Sequence, residues 1–240
     1  MARLTGNRLL RTAPPINHEE LMRMRYPALL LSLLAASPVA AQEHQHEHGP
    51  APKIENGGVF PAGWSVRTDE GGKLTEVSLV TMAPGWHVVT ATSGIMYRAA
   101  DVASGIYEVS AKIHLFPGKG GHEEAFGLFI GGKDLAGAGQ RYSYFLIRGD
   151  GTFKIKRRSG AAATDITKDW TTTPAVVKVK ADGPVANLLS VVVGKDKVAF
   201  RINGQEVYTG PAASLDTDGI VGLRINHNLS VHVESLEIKK

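Results

Sequence analysis

From Gly58 to the C-terminus the chain is a succession of short alternating segments broken by turn residues, and that rhythm restricts the fold before any single residue is weighed. In Ile106–Phe116, Tyr107, Val109, Ala111, Ile113 and Leu115 fall on one side and Glu108, Ser110, Lys112 and His114 on the other. Strand side chains alternate across the sheet, so this is the pattern of a half-buried strand. No window of about a dozen residues carries the 3.6-residue period of a helix. Ala83-Pro84-Gly85, Pro117-Gly118, Asp150-Gly151, Asp182-Gly183-Pro184 and Asn203-Gly204 punctuate the segments. The spacing predicts strands over Leu74–Met82, Trp86–Thr90, Gly94–Arg98, Ile106–Phe116, Ala125–Gly131, Tyr142–Arg148 and Thr152–Arg158. It predicts more over Ala175–Val179, Leu188–Val193, Lys197–Ile202, Glu206–Thr209, Ile220–Asn226 and Ser230–Ile238. About a dozen short strands at such intervals imply an all-β sandwich or barrel.

The densest mixture of aromatic, basic and apolar residues lies between His122 and Arg158. Its hairpin has a register that can be argued. If Gly149-Asp150-Gly151 is a three-residue loop with Gly151 left-handed, Ile147 opposes Phe153 and Phe145 opposes Ile155. One face is then wholly apolar: Phe145, Ile147, Phe153 and Ile155. The other presents Tyr142, Tyr144, Leu146, Arg148, Lys154, Lys156 and Arg158. A two-residue loop would mix both kinds of side chain on both faces and is rejected, since a one-residue slip exchanges the faces. The expectation is an open aromatic-and-basic face outside the core.

The hairpin Val198–Val207 has the form V-x-F-x-I-N-G-x-x-V, and Gly219–Arg224 reads G-x-V-G-L-R before a final strand. With these pieces the stretch from Phe60 to Lys239 resembles laminin-G-like and concanavalin A-like domains. The resemblance implies an antiparallel jelly-roll sandwich of two curved sheets, a fold in which one face and its rim loops often bind glycans and some members hydrolyse them. Hydrolytic relatives carry E-x-D-x-x-E or E-x-D-x-E on a strand, and this chain has neither spacing.

The N-terminus bears on compartment. Arg23 and Arg25 precede an apolar run from Pro27 to Ala36, and small residues follow to Ala41. That layout predicts a secretory signal cleaved after Ala41, with Met22 or Met24 as the true start. The run is shorter than the roughly 18–20 residues of a spanning helix, so no stable membrane anchor is expected. The predicted organisation is a leader over residues 1–41, a His/Pro-rich tail over 42–57 and one sandwich over 58–240. The 27 basic and 23 acidic residues include five basic and two acidic ones before Gln42, which leaves 22 against 21 and a net +1. A domain this close to neutral lacks the positive field of a nucleic-acid binder. Cysteine is absent, which excludes disulfides, thiolate metal sites, a cysteine nucleophile and an N-terminal lipid anchor.

Several residues are candidates for chemistry. Hydrolysis of a glycoside needs two carboxylates about 5–10 Å apart; Glu108, Glu124 and His122 are the catalytic candidates, without a visible pair. His122-Glu123-Glu124-Ala125-Phe126 departs from the zinc-protease pattern because Phe126 replaces the second histidine. His44, His46 and His48 are candidate ligands for loosely held Zn²⁺, Cu²⁺ or Ni²⁺, and no other cofactor is expected. Arg148-Gly149-Asp150 is read as an ordinary hairpin turn. Trp86 and Trp170 are candidate stacking platforms for a sugar ring, against the alternative of buried anchors. His87, Asn226 and His227 join Tyr142, Tyr144, Arg148, Lys154, Lys156 and Arg158 as candidate ligand-binding residues.

The reading is a secreted or periplasmic binding module for a saccharide or acidic polysaccharide. The alternatives are a glycan hydrolase of the same fold and an assembly domain whose face packs on another subunit.

Overall fold

The structure, a computed structural model, describes residues 52–118 and 124–240. Among the described residues fifteen strands are formed: β1 Trp64–Thr68, β2 Val77–Thr81, β3 Trp86–Thr90, β4 Gly94–Ala103, β5 Tyr107–Leu115, β6 Ala125–Lys133, β7 Arg141–Arg148, β8 Thr152–Ser159, β9 Ala162–Asp165, β10 Thr171–Thr172, β11 Val185–Val193, β12 Lys197–Ile202, β13 Gln205–Pro211, β14 Gly219–Ile225 and β15 Leu229–Lys239. They make two sheets. Sheet I runs β1-β4-β14-β6-β7-β8-β10, with β9 also on β8. Sheet II runs β13-β12-β11-β5-β15-β3-β2. Strand pairing within both is antiparallel.

Alternation sets which side chains meet between the sheets. Along β5, Tyr107, Val109, Ala111, Ile113 and Leu115 are buried, and the residues between them are half-buried. Phe145, Ile147, Phe153 and Ile155 enter the same core from sheet I. Phe145 meets Phe153 and Phe200 edge-on, with ring centroids 6.2 and 5.3 Å apart. Each fully buried side chain of this size contributes about 1.5–3 kcal/mol. The hairpin register is the expected one: Ile147 pairs with Phe153 and Phe145 with Ile155. Gly151 takes φ +98°, and Asp150 Oδ1 accepts hydrogen bonds from Thr152 N at 2.9 Å and Thr152 Oγ1 at 2.7 Å. At the β12–β13 turn Asn203 and Gly204 take φ of 51° and 81°, as a two-residue hairpin loop demands.

Three departures have local causes. Ala175–Val179 is not a strand; side-chain amides occupy its backbone groups. Asn187 bonds both the N–H and the carbonyl of Val177, and Asn203 Nδ2 donates to the carbonyl of Ala175 at 2.8 Å. The segment before β2 starts as a 3-10 turn over Leu74–Glu76. The added strands β1, β9 and β10 lie at the margins of sheet I, and the residues of β9 and β10 are exposed, so apolar alternation does not mark them.

β6 is buried on both sides from Ala125 to Gly132. Its outward residues lie in a second apolar cluster with Ile95, Tyr97, Leu135, Tyr142, Tyr144 and Leu146.

Candidate functional site

That second cluster is the floor of the outer face of sheet I. Register aligns its rows. Arg224 opposes Gly127, Gly127 opposes Leu146, and Leu146 opposes Lys154. One row along, Gly222, Phe129, Tyr144, Lys156 and Asp165 lie side by side on β14, β6, β7, β8 and β9. Glycine at 222 lets the Phe129 ring lie across β14; a Cβ there would come within 2.6 Å of that ring.

Tyr142 and Tyr144 are therefore not the open stacking platform expected from the hairpin. They are 1% and 5% exposed, with rings 5.3 Å apart and Tyr142 5.1 Å from Phe129. Burial raises the pKa of both hydroxyls. The loop after β6 adds Leu135 to the cluster, and Arg67 holds that loop through the carbonyls of Leu135 and Gly137.

Polar groups rise from this floor in a connected line. Arg224, 7% exposed, forms a bidentate pair with Asp69: Nη1 to Oδ1 at 2.8 Å and Nη2 to Oδ2 at 2.6 Å. Its Nε donates to Asn226 Oδ1 at 3.3 Å, and Asn226 Nδ2 donates to Glu124 Oε2 at 3.2 Å. Glu124 Oε1 lies 3.3 Å from His227 Nε2, and His227 Nδ1 lies 3.4 Å from Ser93 Oγ. The backbone N–H of Asp69 donates to the Ser93 carbonyl at 2.8 Å, closing the line into a ring. Burial works to raise the pKa of Asp69, but hydrogen bonds and charge from Arg224, with Arg158 and Arg67 behind it, overturn this, and the carboxyl stays below its ordinary range. Burial likewise opposes the charge of Arg224, and the bonds to Asp69 outweigh it.

The opposite bank is basic. Lys154 and Lys156 share Asp165 at 2.7 and 3.3 Å, and Arg158 Nε donates to the Gly160 carbonyl at 3.0 Å. Arg148 stacks on half-buried Trp170, its guanidinium carbon 3.7 Å from the ring centroid. Arg148 faces Ala125 across the β6–β7 pairing, and the carbonyl of Ala125 receives the N–H of Asn226, so the two banks meet at one end of the sheet.

Ten of the sequence candidates share this face: Glu124, Tyr142, Tyr144, Arg148, Lys154, Lys156, Arg158, Trp170, Asn226 and His227. Three lie elsewhere. Trp86 packs at the edge of the main core, 4.9 Å from Trp64, with the Arg98 guanidinium over both rings. Glu108 belongs to the outward side of β5 in sheet II. His87 is on the outer side of sheet II, in register with His232 and, one strand further, His114. His122, His44, His46 and His48 lie outside the described residues. Among the described residues, no group of three or more His, Asp or Glu could hold a metal ion. Asp69, Ser93 and Arg224 were not expected. Arg224 carried a faint signal, as the one outward charge in a glycine-and-aliphatic strand.

No family model and no curated protein matches the chain. Solved structures do. The carbohydrate binding module CBM66 from Bacillus subtilis superposes with a TM-score of 0.56 at 12% identity, over 74% of this chain and 96% of that one. A Bacillus licheniformis β-glucanase gives 0.51 at 10%, over 76% and 94%. A Bacillus subtilis protein of unknown function with a galectin-like fold gives 0.50 at 11%, over 73% and 88%.

The fold is the concanavalin A-like jelly roll. In this jelly roll, one sheet's outer face is paved with aromatic rings and edged by paired charges, with Arg224 rooted at its centre.

Proposed function

We propose that the chain is a glycan-binding module whose ligand surface is the outer face of sheet I, at the end where Glu124, Asn226 and His227 meet Arg148. The hydrogen-bonded ring from Asp69 to Ser93 carries this reading. It sets acceptors (Asp69, Glu124) beside donors (Arg224, Asn226), fixed in place before any ligand arrives. Sugar hydroxyls both donate and accept, and a preformed array of this kind binds them without first ordering flexible side chains. The jelly-roll neighbours that include a carbohydrate binding module and a β-glucanase support the same ligand class.

The hydrolase alternative has less behind it. Hydrolytic relatives of this fold carry E-x-D-x-x-E or E-x-D-x-E on a strand, and this chain has neither spacing. Export also belongs to this proposal, supported by the leader pattern before Gln42.

A glycan array spanning neutral and acidic oligosaccharides, followed by calorimetry on the hits, tests the site. Asn226→Ala with His227→Ala should weaken binding at least tenfold, about 1.4 kcal/mol. An array without hits, or unchanged affinity in the double variant, would rule this surface out.

A further inference from the structure

Among the described residues, the other cations that the strands of sheet I carry on this outer face are each committed to a partner. Arg67 holds loop carbonyls, Lys154 and Lys156 share Asp165, Arg158 bonds Gly160, and Arg224 pairs with Asp69. Arg148 is the exception. Among the described residues its guanidinium makes no hydrogen bond and no ion pair, and its Nε is buried without a partner. It is nonetheless held over Trp170, its guanidinium carbon 3.7 Å from the ring centroid. An arginine stacked on an aromatic ring keeps its in-plane donors available while losing little further freedom when they are used. Arg148 is half-buried with Nε on the covered side, so the Nη edge is the part that faces out. Lys154 Nζ, 5.9 Å from the same ring, adds positive potential beside it.

We propose that the glycan ligand carries carboxylates, and that Arg148 on its Trp170 platform receives one of them. A planar carboxylate matches the two parallel N–H groups of a guanidinium edge, which gives a bidentate, charge-assisted pair. The ring of Asp69, Arg224, Asn226 and Glu124 begins one strand away and would then read the hydroxyls of the same or the next residue. The ligand class is a polyuronate. This proposal rests on the glycan reading above.

The test is calorimetry at low salt with three polymers: polygalacturonate, dextran sulfate and a neutral β-glucan. Polygalacturonate should bind most tightly. Its affinity should fall at least tenfold in Arg148→Gln and fall less in Arg148→Lys, which keeps the charge without the planar fork. Wild-type affinity should also weaken steadily as NaCl is added, a measurement that needs no variant to fold. Tightest binding to dextran sulfate would overturn the carboxylate assignment. Binding of polygalacturonate no tighter than that of the β-glucan, indifferent to NaCl and to Arg148→Gln, would overturn the proposal and leave the glycan reading standing. Failure of the wild type to bind any of the three would overturn both.

Discussion

Arg224 holds its charge where water scarcely reaches, and it does so only because Asp69 supplies both carboxylate oxygens. Truncating one partner of a buried pair strands the other, at a cost of about 3–5 kcal/mol. Asp69 keeps 32% of its side chain exposed, so Asp69→Ala should cost at or below the low end of that range by urea denaturation. Asp69→Ala combined with Arg224→Met should cost less than Asp69→Ala alone, because no uncompensated charge remains; a larger loss in the double variant would contradict the pairing. The pH sign follows from the lowered pKa of Asp69. The unfolded carboxyl takes its proton first, near 3.8, so the pair's stabilisation is complete above that pH and is lost as pH falls through the folded value. Little of this pair was legible in the sequence. Arg224 alternates outward in β14, but its partner lies 155 residues earlier, and nothing local in Thr68-Asp69-Glu70 announces it.

At the scale of elements, the β7–β8 hairpin was legible because two independent rules agreed: glycine at the left-handed position and an unmixed apolar face. The fate of its other face was not legible. Whether Tyr142 and Tyr144 meet water depends on Phe129 crossing Gly222 and on Leu135 folding down from a loop, neither of which the hairpin encodes. Sheet II has its own marked row. His87, His232 and His114 face one another across β3, β15 and β5, with neighbouring centroids 6.4 and 5.7 Å apart. Glu234 Oε2 approaches His114 at 2.7 Å and Lys112 at 2.8 Å, and Ser230 Oγ approaches His87 Nε2 at 3.3 Å. Nδ1 of His87 and of His232 are buried without partners, so a proton there would have no acceptor. Burial, and then the charge of His232, lower the pKa of His87. The unfolded chain therefore binds that proton first, and stability is complete above about pH 6.5 and declines as pH falls below it. His87→Phe should flatten the loss of Tm between pH 7 and pH 5; an identical slope in wild type and variant would contradict the role of the row.

For the whole molecule, the sandwich was legible because the period-two rhythm is global and each hairpin turn repeats it. Strand order was not legible, since β6 pairs with β14 and β5 with β15, each across many intervening strands. If the leader pattern is read by the secretion machinery, sequencing the exported chain will give Gln42 as its first residue, and an exported chain that still begins at Met1 would refute it. The topology also sets an order of events. β14 fills the centre of sheet I between β4 and β6, and β15 fills the centre of sheet II between β5 and β3. Both come last in chain order among the described strands. A nascent chain that has not delivered them has a gap in the middle of each sheet, with four strand edges unpaired and Asp69 still without its arginine. Long-range pairing of this kind is slow and leaves edges open to wrong partners. Neither sheet can therefore close until β14 and β15 have taken their places between earlier strands.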